Sequence, residues 1–114
     1  MSEPPPGPTS AVLYSTAKHI ARSCQKQNRQ FYLCRSVSED PHKCLAEGAA
    51  VTTCVLTLIK SLKGQCPKEF NDYTACMDWR NNDFEFCRKE QAAFEEKCPL
   101  PPDPDAPEEN QPRR

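Results

Sequence analysis

Apolar positions return along this chain at alternating steps of four and three. Leu13, Ala17, Ile20, Cys24, Phe31 and Cys34 fall on one face, with Gln27 its one polar member. That is the period of an amphipathic α-helix. Ser10 is read as its N-cap, and the pattern fades over 36–39. Asp40-Pro41 restarts the chain, a capping residue followed by the residue favoured at the first helical position. Cys44, Gly48, Val51, Val55, Leu58 and Leu62 then share a face, with Cys54 on its edge, and Gly64 is read as the stop. No breaker lies between Cys54 and Leu62, so no turn is expected there. Pro67 opens a third helix, lined by Phe70, Tyr73, Cys76 and Met77 together with Cys66. The turn formers WRNND (79–83) end it. A fourth helix carries Phe84, Cys87, Gln91, Phe94 and Cys98 on one face, and Pro99 stops it. The expected class is all-α.

The cysteines form a ladder on these helices. Cys24, Cys34, Cys44 and Cys54 are ten residues apart, as are Cys66 and Cys76, while Cys87 and Cys98 are eleven apart. An internal repeat underlies it. Cys24-x-Lys26-x4-Phe31-x2-Cys34 matches Cys66-x-Lys68-x4-Tyr73-x2-Cys76. Cys44-x2-Glu47-x-Ala49-Ala50-Val51 matches Cys87-x2-Glu90-x-Ala92-Ala93-Phe94. The expected organisation is two disulfide-stapled antiparallel helical hairpins, 10–63 and 65–98, between extended proline-rich tails, 1–9 and 99–114.

Helix geometry selects the pairing. Residues ten apart are separated by ~15 Å along a helix and ~80° around it, so both fall within one apolar stripe. The turn at 35–43 is short, so its flanking helices run antiparallel. Cys34 and Cys44 then lie level near the turn, and Cys24 and Cys54 level at the open end. The expected bonds are Cys34–Cys44 and Cys24–Cys54 and, by the same logic, Cys76–Cys87 and Cys66–Cys98. The last arm carries one extra residue, ~1.5 Å of rise, so Cys98 is where the geometry is expected to be least ideal.

Composition makes the staples necessary. The chain has 114 residues, 37% apolar, and the ladder occupies only 24–98. A core that small is marginal unaided. Ten of the twelve prolines sit in the two tails, which cannot bury much surface. Fifteen basic and sixteen acidic residues are well mixed, which argues against a nucleic-acid partner or an anionic-membrane footprint. An even, regular cysteine set implies an oxidising compartment. The N-terminus has neither the basic n-region nor the apolar run of a secretion signal, so another route is expected. The best apolar stretch, Val51 to Leu62, is interrupted by Thr and Lys. No transmembrane helix is therefore expected.

Candidate chemistry is sparse. No two cysteines have the close spacing of a zinc site or a Cys-x-x-Cys redox pair. His19 reads as a partly buried or exposed structural histidine and His42 as a structural turn residue. Trp79, near Tyr73 and Phe84, reads as local packing, with a binding hot spot as the alternative. No acidic pair sits in an apolar setting that would suit acid–base work. No catalytic, cofactor-binding or metal-binding residue is expected, and the chain is not expected to be an enzyme. A PxxP ligand around Pro101 and Pro104 is the one short linear motif on offer.

Twin Cys-x9-Cys segments closing antiparallel hairpins resemble the coiled-coil-helix-coiled-coil-helix (CHCH) family of the mitochondrial intermembrane space. PTSAVL (8–13), AKHI (17–20), CLAEG (44–48), CVLTLIK (54–60), FNDYTACMD (70–78) and CRKEQAAFEEKCPL (87–100) are similar to an accessory subunit of respiratory complex I within that family. The resemblance implies a tandem CHCH fold and no cofactor. It implies a place in the intermembrane space, peripheral on the inner membrane, against other complex I membrane-arm subunits. It also implies import without a presequence and trapping by the disulfide relay oxidoreductase, with Phe31, Leu33 and Cys34 as candidate docking residues. A soluble assembly factor or metallochaperone of the same class is the alternative; it would want a reactive cysteine pair outside the staples.

Overall fold

A computed structural model describes residues 8–103; the expectations for 1–7 and 104–114 lie outside them. The described residues are helical with no strand. A bent rod comes first: α1 (Ser10–Ser15), α2 (Ala17–Ser23) and α3 (Gln25–Val37). A 3₁₀ turn at Pro41–Cys44 leads into α4 (Leu45–Gln65), then α5 (Pro67–Trp79). A second 3₁₀ turn at Phe84–Cys87 leads into α6 (Arg88–Lys97).

Local chemistry explains the boundaries. Thr9, not Ser10, caps α1, its hydroxyl accepting from the Val12 amide at 3.3 Å. At Thr16 the rod bends where the hydroxyl donates to the Val12 carbonyl, 2.8 Å away, a back-bond that tilts helices. The backbone ladder nevertheless continues through both bends, with Ile20 N–H to Thr16 O and Asn28 N–H to Cys24 O. Asp40 and Asp83 cap the two 3₁₀ turns alike, accepting from the amides of His42 and Glu85 at 3.0 Å. Gly64 does not stop α4. It lies inside the helix without positive φ, and the chain turns at Cys66, just before the Pro67 ring opens α5.

The core is lopsided. Ile59, Leu62, Phe70, Tyr73, Met77 and Phe94 form one buried cluster with Cys66, Cys87 and Cys98. It is built from the end of α4 with α5 and α6. Ala11 joins it from α1, and α1 packs along α5. The apolar stripe expected on the first helix is therefore misplaced at its start. Ala11, Ser15, Thr16 and His19 are buried there, whereas Leu13 and Ala17 face outward. The buried set is small and polar because it fits close against α5 and α6. By contrast α3 has no buried residue. It lies along α4 as a blade held by bonds rather than by a core. The radius of gyration, 16.3 Å, exceeds the about 13 Å of a compact chain this long.

The apolar run of α4 is longer than the stretch at 51–62. Pro41–Gln65 is a continuous 25-residue helical run with mean hydropathy 1.4 in its most apolar window and only 11% of that window buried. By length and composition it could cross a bilayer. Its staples oppose this. Cys24–Cys54 and Cys34–Cys44 fix α3, with Lys26, Arg29 and Arg35, along its first half, so that polar helix would have to enter the hydrocarbon too.

Candidate functional site

The structure holds four disulfides: Cys24–Cys54, Cys34–Cys44, Cys66–Cys98 and Cys76–Cys87. Their Cα separations are 5.9, 5.9, 6.3 and 6.0 Å, all in the range a disulfide tolerates. In each hairpin one bond sits at the turn and one at the open end. The extra residue before Cys98 is absorbed outside the helix. Cys66 and Cys98 both occupy non-helical caps, at ψ 66° and 79°. No cysteine is left free. Among the described residues no three His, Cys, Asp or Glu side chains gather as a metal would require.

His19 is buried rather than part-exposed. Its Nε2 lies 2.8 Å from the Cys98 carbonyl. A carbonyl only accepts, so Nε2 carries the proton and donates. The ring sits 5.1 Å from that of Phe94. His19 thus joins the first segment to the last staple and reads as a structural pin. Lys18 with Glu95 (3.3 Å) and Arg22 donating to the Pro101 carbonyl (2.9 Å) reinforce the same seam. The sequence signal for His19 was its i+4 spacing from Ser15, too short a polar pattern to announce burial. His42 is exposed on the first 3₁₀ turn.

Aromatic packing centres on Phe94, with Phe70 at 6.0 Å and Tyr73 at 5.6 Å. Burial pushes the Tyr73 phenol up to about 12, Glu95 adding to the rise and Arg88 opposing it. A folded value above the ordinary one of about 10 means the fold favours the neutral phenol. Its contribution to stability is therefore complete below about pH 10 and lost as pH rises through about 12. Ultraviolet titration of the wild type minus Tyr73→Phe should place the Tyr73 tyrosinate signal near pH 12. Its appearance near pH 10 would contradict that burial.

The three import candidates are not brought together. Phe31 packs against α4, where a Cβ on Gly48 would meet its ring at 3.3 Å. Leu33 is 53% exposed and Cys34 is bonded to Cys44. Exposed apolar surface is instead spread over the blade, on Tyr32, Leu33, Val37, Leu45 and Leu56. A groove of about 740 Å³ runs along α4 past Gln27, lined by Ala46, Ala49, Ala50, Thr53 and Leu58 among others and by no charged residue. Trp79, expected to pack locally, is 74% exposed.

No family model matches the chain. Among curated proteins it is 52% identical over 95 residues to NADH dehydrogenase [ubiquinone] 1 alpha subcomplex subunit 8-A of Arabidopsis thaliana, covering 83% of this chain and 88% of that protein. Subunit 8-B of the same plant is 50% identical over 95 residues, covering 83% and 90%. The NADH-ubiquinone oxidoreductase 20.8 kDa subunit of Neurospora crassa is 34% identical over 86 residues, 72% of this chain and 46% of that protein. With four staples on a tandem hairpin and half of the aligned residues shared across nearly all of the plant relatives, the chain belongs to the family of NADH dehydrogenase [ubiquinone] 1 alpha subcomplex subunit 8.

Proposed function

We propose that the protein is a non-catalytic accessory subunit of mitochondrial respiratory complex I, supporting assembly and stability from the intermembrane-space face of the membrane arm. The observation that carries the structural role is the first hairpin. There α3 is stapled near both its ends to the first half of α4, α3 buries nothing, and apolar side chains stand exposed on α3 and α4. Apolar side chains gathered on one stapled element with no core of its own suit a contact face. Membership of a family whose relatives are named as subunits of this enzyme supplies the neighbours.

The four bonds support the finer location. Disulfides persist in oxidising compartments, and the intermembrane space is one that a chain can enter and be held in by oxidation. Phe31 and Leu33 beside Cys34 are the docking residues for the relay oxidoreductase, acting before the blade closes. An assembly factor or metallochaperone role would need a reactive cysteine pair, and none is free.

The test is blue-native electrophoresis of detergent-solubilised mitochondrial membranes, followed by immunodetection of this chain. Co-migration with complex I is expected, together with loss of the chain when mitoplasts are treated with protease. A chain running mainly free of the complex overturns the reading.

A further inference from the structure

The turn of the second hairpin carries a stack that its fold does not require. The Arg80 guanidinium lies 4.1 Å from the Trp79 ring centroid and 4.7 Å from that of Phe86, both cation–π distances. Trp79 is 74% exposed and Phe86 60% exposed. Stacking occupies the guanidinium's faces and leaves its N–H edge open. Among the described residues no carboxylate or carbonyl takes a hydrogen bond from that edge.

The internal repeat separates structural need from surplus. In the register that aligns Cys34 with Cys76 and Cys44 with Cys87, the first hairpin has Val37, Ser38 and Lys43 where the second has Trp79, Arg80 and Phe86. Both turns close between level cysteines and both are capped by an aspartate. The turn therefore forms without the aromatic pair and without the arginine.

The frame beneath the stack is rigid. Asn81 and Asn82 take left-handed φ of 55° and 64°, tolerated by asparagine. The Asn82 amide donates to the Met77 carbonyl at 2.7 Å, and its side chain donates to the Ser10 hydroxyl at 3.3 Å. The Cys76–Cys87 bond lies directly below, with the Cys76 sulfur 3.6 Å from the Phe86 carbonyl. Such preorganisation reduces what binding must spend on ordering. Tryptophan and arginine are the residues over-represented where protein interfaces concentrate their energy.

We propose that the Trp79–Arg80–Phe86 stack is a docking site for a single carboxylate of a neighbouring protein subunit, an Asp or Glu side chain flanked by apolar residues that cover the two rings. Charge picks this occupant. The adjoining groove, about 650 Å³, is rimmed by Lys68 and Lys89 but equally by Glu69, Asp72 and Glu90. Lys68 is already paired with Asp72 at 3.0 Å. A balanced rim offers a polyanion such as nucleic acid or an anionic bilayer no net attraction, while Arg80 offers an unfilled bidentate fork. The inference deepens the subunit reading above and rests on it.

The experiment uses the whole chain in mitochondria. 4-Benzoylphenylalanine replaces Phe86, membranes are irradiated, complex I is purified, and the cross-linked peptide is sequenced. Arg80→Gln and Arg80→Lys are compared with wild type for retention in the complex through a salt wash. The expected cross-link is to one subunit segment bearing an Asp or Glu among apolar residues. Arg80→Gln should weaken retention roughly tenfold, with Arg80→Lys intermediate, all four disulfides intact by peptide mapping. Wild-type retention of Arg80→Gln overturns the proposal, as does a cross-link to lipid or to a segment without a carboxylate. A wild-type chain absent from complex I overturns the subunit reading itself, a result distinguishable because it appears before any substitution is made.

Discussion

Phe94→Ala should destabilise the folded chain by about 3–5 kcal/mol, the usual cost of deleting a fully buried aromatic ring. Phe94 is 1% exposed and touches Phe70, Tyr73 and His19. Those partners come from α5 and α2, so one cavity loosens three helices. The distinguishing readout is where the damage goes. Hydrogen exchange should accelerate over 66–98 and also over 10–23, because His19 and Ala11 are held by the same cluster. The blade at 25–44 should change little, since it shares no buried residue with Phe94. Urea denaturation of the oxidised protein measures the first effect and exchange mass spectrometry the second. A loss under about 1 kcal/mol, or unchanged exchange over 10–23, would mean that the N-terminal segment does not belong to this core.

That coupling marks the limit of what periodicity could reveal. The ladder and the repeat made the hairpins readable because a helix turns a sequence interval into a height and an angle. Level cysteines on antiparallel arms then follow from counting. The start of the chain obeyed a different constraint. Leu13 and Ala17 have the better apolar period, yet Ala11, Ser15, Thr16 and His19 are buried. Their partners lie on α5 and α6, far along the chain, and the fit there rewards small side chains and one donor for the Cys98 carbonyl. Gly64 misled for a simpler reason. A glycine near a helix end suggests a cap, but its surroundings leave room for a Cβ and its φ is not positive. The turn was made one step later, by Cys66 and Pro67. Trp79 does not pack on Tyr73 or Phe84 because these point elsewhere: Tyr73 into the core and Phe84 against Tyr14 at 6.3 Å.

The blade should be the part of the molecule most dependent on oxidation. Replacing Cys24, Cys34, Cys44 and Cys54 together by serine removes two staples with sequence separations of 30 and 10. Chain entropy values these at roughly 4 and 3 kcal/mol, as upper and non-additive figures. Little remains to oppose the loss. No residue of α3 is buried, and Phe31 against Gly48 is a half-exposed contact. An isolated helix of 13 residues is marginal in water. Helicity should therefore disappear over 25–37 and fray in the first half of α4, while 66–98 stays protected. The matching variant of the second hairpin, Cys66, Cys76, Cys87 and Cys98 together to serine, removes two bonds of separation 32 and 11 from a region with its own core. It should lower stability without abolishing structure. Far-UV circular dichroism gives the total loss of helix and exchange mass spectrometry its location. If α3 stays protected in the fourfold variant, a contact other than the staples holds the blade. If the second hairpin melts as readily as the first, the buried cluster around Phe94 contributes less than its packing implies.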